Sequence, residues 1–172
     1  MITSKIKQHI VGKGRGAIFE PSEFLGIGSR ASVDQALSRL ADQGVIRRLT
    51  RGLYDYPNQS LRFGLLAPSA DDIARAVARK DNQILQPSPA MAANQLGLSF
   101  QVPYNSTYIT DGPTRTKKIG RQVIQFRNAL PKTLVGAGSK TGTVFQALRY
   151  TGKDGVNDQV IDKIARALDA KD

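Results

Sequence analysis

Three short helical stretches followed by a glycine-turned hairpin, then strands alternating with helices beyond a Pro/Gly/Ser-rich break, predict an α+β chain in two parts. The first part, residues 1–62, has the element order of a winged helix-turn-helix, and the second, 66–172, is a smaller mixed α/β module. A length of 172 residues suits two small domains, and 40% apolar against 23% charged residues is the balance of a chain with a packed core. Tyr56-Pro57-Asn58-Gln59-Ser60 closes the first block and Ala67-Pro68-Ser69 opens the second. No internal repeat interrupts either part, and Gly12-Lys13-Gly14-Arg15-Gly16 is the one biased stretch, a flexible basic turn.

In the first block, Ser4 can cap a helix to about Val11 that sets Ile6 and Ile10 on one face. Phe19 to Leu25 reads as one or two helical turns begun through Pro21, because proline lacks only an N–H that the first helical position does not need. The clearest helix follows Gly26-Ile27-Gly28. Val33, Ala36, Leu37, Leu40 and Ala41 recur at the spacing of one buried face, and Gly44 can stop the helix in a left-handed conformation. Val45 to Leu49 and Leu53 to Tyr56 are strand-like and joined through Thr50-Arg51-Gly52.

The second block predicts a helix over Ser69–Lys80, with Ile73 and Val77 inward and Asp71 and Asp72 at the favourable end of its dipole. A short helix over Ser88–Leu96 stops at Gly97. Strands follow over Thr107–Thr110, Thr114–Ile119 and Gln122–Asn128, and helices over Thr141–Thr151 and Val156–Leu168 close the chain. The last of these carries Val156, Val160, Ile164 and Leu168 on one stripe.

Twenty-five Lys+Arg against 14 Asp+Glu give a formal charge of +11, which points to a polyanionic partner such as nucleic acid. The absence of cysteine excludes disulfides, thiolate metal sites and thiol nucleophiles, and a single histidine, His9, excludes a multi-histidine metal site. No catalytic residue, metal or cofactor is expected. With no apolar run long enough for a membrane helix and no signal-peptide core at the N-terminus, the expected location is the cytoplasm, on the nucleoid when bound to DNA.

A major groove admits one α-helix and shows each base pair as a distinct donor–acceptor pattern. With Val33, Leu37 and Leu40 turned to the core, about 100° per residue leaves Ala31, Asp34, Gln35, Ser38, Arg39 and Asp42 outside. Gln35 then suits adenine and Arg39 guanine, each by two hydrogen bonds, while Asp34 can accept from a cytosine amine. Ser29, Arg30 and Ser32 at the helix N-terminus suit a phosphate, as do Arg47, Arg48 and Arg51 on the hairpin, which can also enter the minor groove. One short helix reads few base pairs, so a dimer on an inverted repeat is expected, joined by the second block or the first helix.

Other signals carry less. Gly136-Ala137-Gly138-Ser139-Lys140-Thr141 departs from a phosphate loop, with Ser139 where the glycine before the lysine belongs, and reads as a helix start. Asp154, Asp158 and Asp162 at four-residue spacing read as a solvated helix face beside Lys163 and Arg166. Lys117, Lys118, Arg121 and Arg127 make the second-block hairpin basic, fit for a second DNA contact or an acidic partner. Two rival readings remain: a winged-helix protein for structured RNA, and an enzyme on nucleic acid whose metal-dependent turnover would need Asp154 or Asp158.

The runs Gly28-Ser29-Arg30-Ala31-Ser32-Val33-Asp34-Gln35-Ala36-Leu37-Ser38-Arg39-Leu40, Gly44 to Leu49 and Arg51 to Pro57 resemble the AbiEi-type antitoxins of type IV toxin–antitoxin and abortive-infection systems, including their short relatives. Gln86-Pro87-Ser88, Ala92 to Ser99, Gln101-Val102-Pro103 and Tyr108 to Pro113 extend the likeness, which spans most of residues 15–128. It implies a winged-helix transcriptional repressor on inverted repeats in its own promoter. It also implies a C-terminal region that counteracts a co-encoded nucleotidyltransferase-like toxin. The chain departs from the pattern at Pro89, where the family has glycine, and in a second block shorter than that of the longer antitoxins.

Overall fold

The computed structural model describes residues 1–101 and 104–169, so Val102 and Pro103 of the Gln-Val-Pro motif, and positions 170–172 of the second block, lie outside the described residues. The architecture is mixed α+β, in two compact units, Met1–Lys80 and Asp81–Asp172. The boundary expected at 62–66 therefore falls later. The helix over Ala70–Lys80 touches the sheet of the first unit, because its Ile73, Ala74 and Val77 need a core and find that one.

The first unit opens with α1 (Ile2–Lys13), the short strand β1 (Ile18–Phe19) and a 3-10 turn over Pro21–Phe24. Then come α2 (Arg30–Asp42), the hairpin β2 (Arg47–Thr50) and β3 (Leu53–Asp55), the small hairpin β4 (Gln59–Ser60) and β5 (Gly64–Leu65), and α3 (Ala70–Lys80). Met1, not Ser4, stands at the cap of α1. The stretch before α2 is a single tight turn: the Glu20 N–H donates to Glu23 Oε1 at 2.9 Å, and Pro21 takes the first helical position. Strand β1, unforeseen in the sequence, pairs antiparallel with β3, giving a sheet in the order β1-β3-β2. Ile6 and Ile10 of α1, Phe19, Phe24, the apolar stripe of α2, Ile46 and Tyr54 form one core, with the Phe19 and Phe24 rings edge to face at 5.5 Å.

The second unit contains β6 (Leu85–Pro87), α4 (Pro89–Gln95), β7 (Ser106–Thr110), β8 (Arg115–Ile119), β9 (Gln122–Asn128), α5 (Lys140–Thr151) and α6 (Asp158–Asp169). The sheet order is β6-β7-β9-β8, with β7 and β9 parallel at its centre and antiparallel strands outside. Ala92 of α4, Leu96 just past its end, Ala147 of α5 and Ile164 of α6 make one core, and Tyr108, Ile124 and Phe126 are buried in the sheet.

Small residues fix how closely α5 approaches its surroundings. Ser139 caps the helix, donating to the Gly136 carbonyl at 2.6 Å and accepting the Gly142 N–H at 3.2 Å. A Cβ at Gly142 would stand 2.2 Å from the Gly136 carbonyl oxygen and 2.5 Å from Gln86 Nε2, whereas one at Gly12, inside α1, would meet nothing within 4 Å. Gly142→Ala should therefore destabilise the protein by about 1–3 kcal/mol through overpacking. Gly12→Ala should stabilise it by roughly 0.5–1 kcal/mol through helix propensity. Urea unfolding of the two variants beside wild type checks the opposite signs.

Candidate nucleic-acid interface

Helix α2 supplies the site. Ser29 caps it, with its hydroxyl 3.4 Å from the Ser32 N–H and 2.9 Å from the Ser32 hydroxyl, so the two serines hold each other at the helix N-terminus. Val33, Ala36, Leu37 and Leu40 are buried, while Asp34, Gln35, Ser38, Arg39 and Asp42 are exposed, as the periodicity requires. Gln35 and Arg39 lie one turn apart, and neither side chain has a hydrogen-bond or ion-pair partner among the described residues. Arg30 and Asp34, also one turn apart, form an exposed ion pair at 2.9 Å, weak in water but enough to occupy the carboxylate that the sequence assigns to a cytosine amine.

The hairpin divides its arginines. Arg48 on β2 and Arg51 at the turn are exposed and unpaired among the described residues. Arg47 differs from the expectation of a phosphate contact. Its Nε and Nη2 donate to the two carboxylate oxygens of Asp55 at 3.1 and 2.6 Å, and Nη2 also donates to the Leu66 carbonyl at 2.9 Å. Asp55 is only 1% exposed, and a carboxylate so buried requires this bidentate partner. Arg47 thus holds β2, β3 and the chain leaving β5 together.

The structure adds a cation that sequence reasoning missed. Lys80, in the last turn of α3, donates from Nζ to the Arg51 carbonyl at 2.9 Å and puts its charge at the hairpin turn. With the boundary drawn before α3, no sequence signal linked it to this site. Also missed is the β4–β5 hairpin, whose Leu65 lines a groove together with Ser38, Asp42, Arg47 and Arg48.

The remaining candidates are placed elsewhere. His9 is exposed and edge-on to Phe24 at 5.5 Å. Lys118, Arg121 and Arg127 are exposed on the edge hairpin of the second sheet, and Lys117 is half-buried. Asp154, Asp158 and Asp162 are exposed, and among the described residues no three His, Cys, Asp or Glu side chains converge as a metal site. No helix among these residues is long and apolar enough to cross a membrane.

One family model, that of DUF6088, a family of unknown function, matches residues 5–172. No curated protein and no solved structure matches the chain.

The Arg47–Asp55 geometry makes a direct claim. Arg47→Ala leaves the Asp55 carboxylate buried without its cation, and should lower unfolding free energy by roughly 2–3 kcal/mol, the modest end because the arginine is partly solvated. Arg48→Ala should change stability by less than about 0.5 kcal/mol. Equal melting temperatures for the two variants would contradict the assignment.

Proposed function

We propose, for a chain that belongs to the DUF6088 family, that the first unit is a winged helix-turn-helix that binds double-stranded DNA sequence-specifically and represses transcription. The observation that carries this reading is α2, with its apolar stripe fully buried and Gln35 and Arg39 turned to solvent without partners among the described residues. Amide and guanidinium heads one turn apart match the spacing at which a helix in the major groove meets successive base pairs. The order helix, turn, helix, hairpin and the net charge of +11 support it.

In this reading Gln35 and Arg39 contact bases. The N-terminus of α2 faces a phosphate, with the Ser32 N–H already taken by the Ser29 hydroxyl and the Arg30 side chain paired with Asp34. Arg48 and Arg51, with Lys80 beside them, sit against the phosphate backbone, and Arg47 positions their hairpin without touching DNA. Phosphate neutralisation supplies most of the affinity, and the two base contacts supply the choice of sequence.

The resemblance to AbiEi-type antitoxins supports a further layer: the bound DNA is an inverted repeat in the protein's own promoter, and the second unit counteracts a co-encoded nucleotidyltransferase-like toxin. The protein then acts in the cytoplasm as an autoregulating antitoxin, as a dimer at least on DNA and without catalysis of its own.

Fluorescence anisotropy tests the DNA contact, using a duplex from upstream of the protein's own coding sequence and a random duplex over a range of salt. Gln35→Ala and Arg39→Ala should each lose about 1–3 kcal/mol of preference for the upstream duplex. Arg48→Ala and Arg51→Ala should weaken both duplexes alike and reduce the salt slope by about one each. If all four variants bind both duplexes as wild type does, α2 and its hairpin do not meet DNA.

A further inference from the structure

We propose that the second unit carries a docking groove along α5 for an acidic, apolar-faced helix of a partner protein. The apolar residues of α5 serve two surfaces. Val144, Ala147 and Leu148 pack in the core with residues of α4 and α6, whereas Phe145 turns outwards and is 44% exposed. Val135 before the helix and Val156 after it are 57% and 40% exposed. With Leu148 these three line one open groove of about 640 Å³. Contiguous large apolar side chains left in water mark a contact surface.

The walls of the groove are fastened to α5. On one side the 3-10 turn Pro131–Thr133 is held by Gln146, which is wholly buried and donates from Nε2 to the Thr133 carbonyl at 2.7 Å. Arg149 Nη2 adds a hydrogen bond to the Lys132 carbonyl at 3.3 Å. On the other side Gly152 ends α5 at a φ of 74°, its N–H donating to the Leu148 carbonyl at 3.0 Å. The chain then passes through the 3-10 turn Lys153–Gly155 to Val156. A pocket for a small molecule encloses most of its ligand, but Val135, Phe145 and Val156 stay open to water, a shape that suits a segment laid across the surface.

Charge selects the occupant. Lys132, Arg149 and Lys153 line the groove, and no acidic residue does. None of the three meets a carboxylate among the described residues, and Asp154, next in the chain, is exposed outside the lining. The dipole of α5 favours Arg149 and Lys153 at its C-terminal end. It does not account for Lys132 on a separate turn, nor for the apolar patch in the same groove. A phosphate backbone would use the cations and gain nothing by covering Phe145 and the valines. A helix with carboxylates beside an apolar stripe uses both. From Phe145 to Gly152 the groove follows α5 for two turns, about 10 Å, so the occupant presents apolar residues at i, i+3 or i+4, and i+7. The chain's own α3 and α6 mix their acids with arginine and lysine, which makes a second copy the poorer match. The docking does not rest on the DNA contact, since every residue of the groove belongs to the second unit.

Fluorescence anisotropy of the full chain at physiological salt tests the docking, with a labelled peptide of about 14 residues of leucine and glutamate, its leucines on one helical face. The peptide should bind saturably in the micromolar range. Counterparts with serine for leucine, or lysine for glutamate, should bind at least tenfold more weakly. Lys132→Glu with Lys153→Glu should weaken the leucine–glutamate peptide at least tenfold and gain affinity for the lysine one, and Phe145→Ser should weaken the former at least threefold, with circular dichroism as in wild type. The same charge change made on the edge hairpin, Lys118→Glu with Arg121→Glu, should weaken it less than twofold. Absence of saturable binding overturns the proposal. Equal binding of the serine peptide also overturns it, by reducing the groove to a general anion surface. So does an equal loss from the two charge-reversed pairs, which would place the peptide on the basic chain at large.

Discussion

Burial of one stripe of α2 is the constraint on which the first unit depends. Val33, Ala36, Leu37 and Leu40 meet Ile6 and Ile10 of α1, Phe24 of the preceding turn and Ile46 at the start of the hairpin, so one helix face organises every neighbouring element. Burying side chains of this size contributes on the order of 1.5–3 kcal/mol each, far more than any polar contact made by the opposite face. The rotation of the helix is therefore set from inside. Gln35 and Arg39 face water as a consequence, and their direction does not depend on a partner's presence.

A second constraint is electrostatic. Asp55 faces inward on a strand, where its charge cannot be hydrated, and Arg47 supplies both hydrogen bonds and charge. A buried pair of this kind adds little net stability over an apolar pair, but it is unforgiving of register. Shifting β2 by one residue would bring Arg48 to Asp55 and Leu49 to the outside. The pair thereby fixes which arginine of the hairpin faces solvent. Through the Leu66 carbonyl it also fixes where β5 leaves the sheet.

Legibility in the sequence followed the length and regularity of each element. The helix α2, together with α5, α6 and β9, could be read because apolar residues recur over several turns or alternations. The strands β1, β4, β5 and β6 were invisible, since two or three residues cannot display a period of two and their partners are distant in sequence. Helix α3 was read correctly as a helix and assigned to the wrong unit, because amphipathicity says that a face is buried and not against what. The outward residues of α2 were legible for the same reason as its core. Arg47 was not, because a cation beside a turn looks solvent-facing until the acid across the strand is located. The parallel pairing of β7 with β9 was equally hidden, since β8 lies between them in sequence and outside them in the sheet.

The net charge of the chain overstates the cations that a polyanion could use. In the first unit Arg15 lies over the Tyr56 ring and donates to the Pro57 carbonyl, Arg30 pairs with Asp34, Arg47 with Asp55 and Arg75 with Asp71. Arg39, Arg48 and Arg51 have no such engagement among the described residues, and all belong to α2 or the β2–β3 hairpin, where Lys80 joins them. Lys5, Lys7, Arg62 and Arg79 also meet no carboxylate among these residues, and of them Arg62 differs in setting, flanked by exposed leucine and phenylalanine in a segment, Tyr56–Ala70, without an acidic residue. An arginine meant for phosphate gains nothing from large apolar neighbours, which must be desolvated for it to approach. An arginine at the centre of a protein contact gains from them, because they exclude water and strengthen its pairing with a carboxylate. The cations of this unit without a carboxylate thus differ in their surroundings: Arg39, Arg48 and Arg51 are hydrated and suited to a polyanion, whereas Arg62 is framed by apolar side chains.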